Sequence, residues 1–201
     1  VTQRLTVHPD NPPLRKIRMA VDELRKGGVV AYPTDTMYAL GVDATQRKAV
    51  DRVYAMKRMD RDQPLAFLCA DLSDIARWAI VEKDAYRVMK RLTPGPYVFI
   101  LKATREVPRM LVQKRKTIGI RVPDHPVPHA LLAELGGPVV STSATWDDQP
   151  LADPDEILDR YRQLDVLLDS GPGGLEPSTV LDLSNDVLEV VREGAGPVDD
   201  L

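Results

Sequence analysis

The sequence predicts an α/β fold of the α+β type, one domain over residues 1–201, with helices flanking a twisted mixed sheet. Three observations predict it. Segments of helical and of strand-like period alternate through the middle of the chain, and strand-like segments crowd its end. No internal repeat, low-complexity tract or long Ser/Gly linker divides it. A chain of 201 residues is also long enough to close over a core without disulfide or metal staples.

The elements follow in order. HPDNPPLRKIRMAVDELRKGG is a helix behind prolines: Leu14, Ile17, Ala20, Val21 and Leu24 recur at helical spacing, and Gly27-Gly28 stop it. VVAYP is a short buried strand that runs into Thr34-Asp35-Thr36 with Pro33 at the corner. TQRKAVDRVYAMKR is a second amphipathic helix, its apolar face formed by Ala49, Val50, Val53, Tyr54 and Met56. PLAFLCA is a strand, and two short helices follow around DLSDIARWA and EKDAYRVMKRL. YVFILKA and TIGIRVP are strands on either side of a basic segment. PVPHALLAEL is a helix, PVVSTSA a strand ending in hydroxyls, and DPDEILDRYRQL a helix with proline in its first turn. DVLLD, STVLDL and VLEVVREG form a late group of strands, and the turn-rich DSGPGGLEPS between the first two is the segment expected to be most mobile.

Composition narrows the function classes. Cys69 is the one cysteine, so no intramolecular disulfide forms, which fits a reducing cytosol; inside its apolar run it reads as a small core residue. No apolar run is long enough for a bilayer, and VTQRLTVHPDNPP has no signal-peptide core, so a cytoplasmic location without membrane contact is expected. The net charge of −3 hides a split. Residues 1–146 carry 24 Lys and Arg against 15 Asp and Glu, whereas residues 147–201 carry 3 against 15. Such a split marks either a surface that faces a polyanion or chance clustering on solvated helix faces.

Several chemistries are absent. There is no P-loop, no Gly-x-Gly-x-x-Gly turn and no Gly-x-Ser-x-Gly elbow. Prolines separate His125 from His129, and with His8 as the only other histidine a zinc site is not expected. What remains is a theme shared by the strand ends: Thr34 and Thr36, Arg121, Ser141 to Thr145, and Arg192, with Lys57, Arg58 and Arg61 around the end of the second helix. Hydroxyls, backbone N–H groups and arginines are what a phosphate or carboxylate needs where no P-loop exists, and ligands bind at strand ends in α/β sheets. Each residue also has a plainer reading. Hydroxyls satisfy turns, strand arginines form surface ion pairs, and Lys57-Arg58 complements a helix dipole.

The stretches YPTDTMYALG, TIGIRVPDHP, STSA and VVREG, in this order and spread over nearly the whole chain, resemble the successive motifs of the YrdC/YciO family, which includes the threonylcarbamoyl-AMP synthases. HPDNP and LTPGPYVFILKATREVP resemble the YciO branch more closely. The resemblance implies a twisted mixed sheet around an open, basic cavity. It also implies a nucleotidyltransferase that combines L-threonine, bicarbonate and ATP into threonylcarbamoyl-AMP and pyrophosphate for tRNA modification, with Mg2+ bridging the ATP phosphates. Carried over by position, Thr34, Thr36 and Tyr38 line the threonine and bicarbonate pocket and Arg121 pairs with a substrate carboxylate. Lys57 with Arg58 or Arg61 holds phosphates, Ser141, Ser143 and Thr145 lie near the nucleotide, and Arg192 contacts ATP; no resident metal is implied. Three positions depart from the family pattern: Met59 stands where the Lys-x-Arg motif has arginine, Thr145 where Ser-x-Asn has asparagine, and Leu68 where many members have histidine. Two other readings stand beside this one. In the first, the chain is a YciO-type binder of double-stranded RNA or tRNA with weak or no synthase activity. The basic run Lys102–Arg121, with seven Lys and Arg and one acidic residue, supports it. In the second, it is an adenylating enzyme for another acid.

Overall fold

The computed structural model describes residues 1–201. The chain opens with β1 (Gln3–Thr6) and α1 (Leu14–Arg25), then β2 (Val30–Tyr32) and β3 (Ala39–Asp43) on either side of the Thr34–Thr36 turn. Next come α2 (Arg47–Lys57), β4 (Ala66–Leu68), α3 (Ile75–Trp78), β5 (Ala79–Ile80), α4 (Lys83–Leu92), β6 (Tyr97–Ala103) and β7 (Thr117–Arg121). The last third holds α5 (Pro126–Leu135), β8 (Val139–Ser143), β9 (Thr145–Trp146), β10 (Gln149–Pro150), α6 (Pro154–Arg160), β11 (Val166–Asp169), β12 (Thr179–Asp182) and β13 (Glu189–Arg192). No helix is long and apolar enough to cross a membrane.

One mixed sheet of eleven strands organises the molecule, in the order β1-β11-β2-β3-β8-β4-β7-β6-β12-β13, with β5 beside β6; β9 and β10 form a separate hairpin. The late strands are therefore not one group. β11 lies between β1 and β2, while β12 and β13 close the opposite edge. The chain between β11 and β12 must cross the sheet, and the turn-rich 170–178 segment does so. It is pinned, contrary to its composition: Tyr38 donates its hydroxyl to the Gly171 carbonyl (2.6 Å), and Gly173 N–H donates to the Ala152 carbonyl (2.8 Å). Gly174 passes so close to Thr36 that a Cβ would lie 1.9 Å from its carbonyl oxygen. Only glycine fits there.

Alternation along the strands sorts the apolar residues into two cores. Leu40, Val42, Phe67, Phe99, Leu101, Ile118, Ile120 and Val140 face one side, where α2, α3, α4 and α6 cover them. Val30, Tyr32, Val139, Val166 and Leu168 face the other side and pack under α1 and α5. α2 buries Ala49, Val50, Val53, Tyr54 and Met56, the face its spacing predicts. α5 starts at Pro126 with the His125 ring accepting from Val127 N–H (3.1 Å) and stops at Gly136, whose φ of 75° suits glycine. α6 ends at Arg160, short of the expected segment, and Tyr161 turns into the larger core instead.

Candidate functional site

α1 and α5 cover only part of their face of the sheet. Beyond them a cavity of about 500 Å3 opens over β8, β4, β7, β6 and β12. Its floor lies deep because the inward positions are small. Ser141, Ala66 and Gly119 sit side by side in register, with Ala39 two residues along β3 opposite Ser143, and Val98, Ile100 and Val180 flank them. A Cβ on Gly119 would point at Val98 Cγ1, 3.2 Å away, and begin to fill the space.

One wall is a buried polar network around the Thr34–Thr36 turn. Arg121, 7 % exposed at the end of β7, donates to Thr36 Oγ1 (3.1 Å) and forms an ion pair with Asp35. Burial lowers the Arg121 pKa, and Asp35 opposes that shift. Thr34 Oγ1 donates to the Met37 carbonyl (2.6 Å) and accepts from Thr36 N–H (3.1 Å), which closes the turn. Asp35 Oδ2 and Arg121 Nε have no partner and are shut off from solvent. The carboxylate that meets Arg121 is thus the chain's own Asp35, which fixes the turn to β7. Deeper in the wall, Ser141 Oγ is taken up by the Tyr32 hydroxyl (2.6 Å), and burial raises that phenol's pKa. Gly41 makes room for the Tyr32 ring, since a Cβ there would lie 2.7 Å from it.

Two other sides of the cavity hold the cationic groups available to a ligand. Lys57 Nζ reaches past the end of α2 and donates to Thr142 Oγ1 (2.9 Å) and the Ser143 carbonyl (2.6 Å). Its partners are neutral, and burial brings its pKa down to about 8, opposed by the charge of Asp148. Thr142 Oγ1 also faces the Met59 sulfur at 3.9 Å, so the methionine packs behind the lysine and offers no charge. The hydroxyls of Ser143 and Thr145 line the cavity beside Lys57. Arg192, across the cavity on edge strand β13, donates from Nε (3.1 Å) and Nη2 (2.7 Å) to the Ser178 carbonyl, and burial lowers its pKa.

The structure therefore brings Thr36, Arg121, Lys57, Ser141, Ser143, Thr145 and Arg192 around one cavity. Four other residues expected at the site lie elsewhere. Thr34 is used within its own turn. Tyr38 points into the larger core, and its hydroxyl ties down the crossing segment, because at the start of β3 it falls on the opposite face from Ala39. Arg58 turns outward at the left-handed cap of α2 (φ 53°) and covers Trp146. Arg61 pairs with Asp51 (2.7 Å) and lies over Tyr54. Leu68, at the departure from the family histidine, is 3 % exposed and packs with the core under α1 and α5 while edging the cavity. Cys69 is buried, and burial pushes its thiol pKa up to about 12.

Sequence reasoning missed Asp148, Gln113, Thr117 and, at the end of the crossing segment, Leu175, Pro177 and Ser178, all of which line the cavity. For Asp148 a signal existed. Asp147-Asp148 form a two-residue hairpin turn with both φ values positive (48° and 61°), and aspartate tolerates that region. No group of three His, Cys, Asp or Glu side chains gathers as a metal site.

A family model named for Sua5, YciO and YrdC and described as telomere recombination matches residues 22–194. The uncharacterised protein YciO of Escherichia coli (strain K12) is 45% identical over 202 residues, covering 98% of both chains. The crystal structure of E. coli YciO superposes with a TM-score of 0.95 over 99% of this chain and 98% of that one. The threonylcarbamoyl-AMP synthase of Halorhodospira halophila is 36% identical over 174 residues, 85% of this chain and 91% of that protein. The crystal structure of P. abyssi Sua5 complexed with L-threonine matches at 28% identity with a TM-score of 0.90, covering 96% of this chain and 58% of that one.

Proposed function

Given that the chain belongs to the Sua5/YciO/YrdC family, we propose that its cavity binds ATP and L-threonine and makes threonylcarbamoyl-AMP from them with bicarbonate, releasing pyrophosphate. The observation that carries this reading is the pair of cations, Lys57 and Arg192, facing one cavity of about 500 Å3 with neither engaged by a carboxylate. The threonine amine and bicarbonate give a carbamate with loss of water. A carbamate oxygen then attacks the α-phosphorus, and pyrophosphate leaves. Such chemistry rests on positioning and charge neutralisation, with no covalent nucleophile required.

In this reading Lys57 takes phosphate charge at the end of α2, and Ser143 and Thr145 donate hydroxyls beside it. Arg192 meets the nucleotide from β13. Thr36 edges the amino-acid end, and Arg121, neutralised by Asp35, holds that wall in place. Mg2+ would enter with the phosphates, since no metal cluster stands ready.

The test is pyrophosphate release from ATP by the purified chain, with and without L-threonine and bicarbonate. Release that needs both substrates, and that falls at least a hundredfold in Lys57→Ala and Arg192→Ala, supports the synthase. ATP binding without threonine-dependent release would point to an adenylating enzyme for another acid. The alternative, binding of double-stranded RNA or tRNA with weak or no synthase chemistry, is favoured by Leu68 and Met59, which present apolar groups where polar ones are expected. Its signature is RNA affinity that falls steeply with salt, without pyrophosphate release.

A further inference from the structure

The β9–β10 hairpin has two sides. Through Thr145, Asp148 and Pro150 it lines the cavity. On its other side Trp146 enters a separate concavity of about 420 Å3, which Arg58, Arg160 and Arg162 also line, with Asp159 as its acidic member. Arg58 Cζ lies 4.9 Å and Arg160 Cζ 5.6 Å from the Trp146 ring centroid. A guanidinium resting on an aromatic face keeps its N–H groups free at its edge, in the planar fork that matches two oxygens of a phosphate.

These arginines are not used up by the fold. None of the three forms an ion pair. Arg162 makes one long bond, 3.4 Å, to the Asp159 carbonyl. Trp146 is already seated against Tyr161 at 5.7 Å, so its place does not depend on two cations. The three arginines come from two parts of the chain: the cap of α2, and the end of α6 with the turn just beyond it. Arg160 and Arg162 are two of the three basic residues in 147–201, among 15 acidic ones, yet both gather with Arg58.

We propose that this concavity is a second phosphate-binding site, separated from the cavity by the hairpin. Its ligand carries phosphate either as the phosphodiester backbone of a nucleic acid or as a free polyphosphate.

Trp78→Phe leaves Trp146 as the single tryptophan of the full chain, so its fluorescence reports on this site. That protein is titrated with tripolyphosphate and, separately, with a short RNA duplex over a range of salt concentrations. At least one probe should change Trp146 emission to saturation. A response to tripolyphosphate means that free phosphate groups suffice, and a response to duplex alone assigns the site to a nucleic-acid backbone. Adding Arg160→Gln with Arg162→Gln should weaken binding at least tenfold. For the duplex it should also flatten the slope of log K against log salt by about 1.4–1.8, at about 0.7–0.9 per lost contact. Lysine at both positions should restore part of the binding, which separates charge recognition from a folding defect. Lys57→Ala in the same background should keep the Trp146 response. The proposal fails if neither probe moves Trp146 emission, if the double glutamine variant binds with unchanged affinity and slope, or if Lys57→Ala abolishes the response.

Discussion

On one face of the sheet, β11 and β2 present Val166, Leu168, Val30 and Tyr32 and bury all four; further along, β6 and β12 present Val98, Ile100 and Val180 on that same face and leave each only partly covered. The strand chemistry is the same in both halves. What differs is the layer above. Ile17, Ala20, Val21 and Leu24 of α1 and Val127, Leu131 and Leu132 of α5 close the first half, and no helix closes the second. Small residues, Ala66 and Gly119, then deepen the uncovered half into a cavity. The candidate site is a stretch of sheet that the helices leave uncovered.

The comparison can be broken most severely at the border between the halves. Asp35→Asn leaves the Arg121 charge buried and uncompensated, and should lower unfolding free energy by about 3–5 kcal/mol, read by urea denaturation. A loss below 1 kcal/mol would show that solvent or Thr36 already satisfies Arg121. In the closed half, Leu24→Ala should cost about 2–5 kcal/mol and leave nucleotide affinity unchanged, measured by calorimetric titration of the folded variant.

In the open half the balance should invert. Lys57 titrates near pH 8, so its ammonium is present at pH 7 and mostly lost by pH 9. If that charge holds phosphate, ATP affinity should fall about tenfold between these values, and the fall should be absent in Lys57→Met. The sign for stability runs the other way. A lysine whose pKa is lowered on folding binds less proton than the unfolded chain between about pH 8 and 10.5, so its contribution to unfolding free energy rises with pH there. The smallest effect belongs to Ile100→Val, which removes one methylene from a half-open floor. It should cost less than about 1 kcal/mol of stability while altering ligand affinity. An equal stability cost for Ile100→Val and for Ile17→Val under α1 would remove the distinction between the halves.

Much of the fold was legible in the sequence because periodicity is local. The buried faces of α1 and α2, and the strands at YVFILKA, TIGIRVP and PVVSTSA, follow from spacing alone. β1 and β3 leave no such signal. β1 has one buried residue, Leu5, and β3 is buried on four of its five positions, so neither shows a clean alternation. Tyr38 falls outside the cavity because its distance from Thr36 along the chain says nothing about which face the turn gives it. Arg58 falls outside the cavity because its left-handed cap turns the side chain out of the helix direction that Lys57 follows.

By itself the sequence determined the fold class, the family motifs and which residue types could meet an anion, since these depend on residue order and short-range pattern. The tertiary structure decided which of them meet. It engaged Arg121 with Asp35, left Lys57 with neutral partners, turned Tyr38 into the core, and brought Asp148 to the cavity through a turn with two positive φ angles. It also carried the crossing segment from β11 to β12, setting Leu175 and Ser178 at the cavity. Those outcomes depend on strand order and on which face each helix covers, and neither is written in any local stretch of the chain.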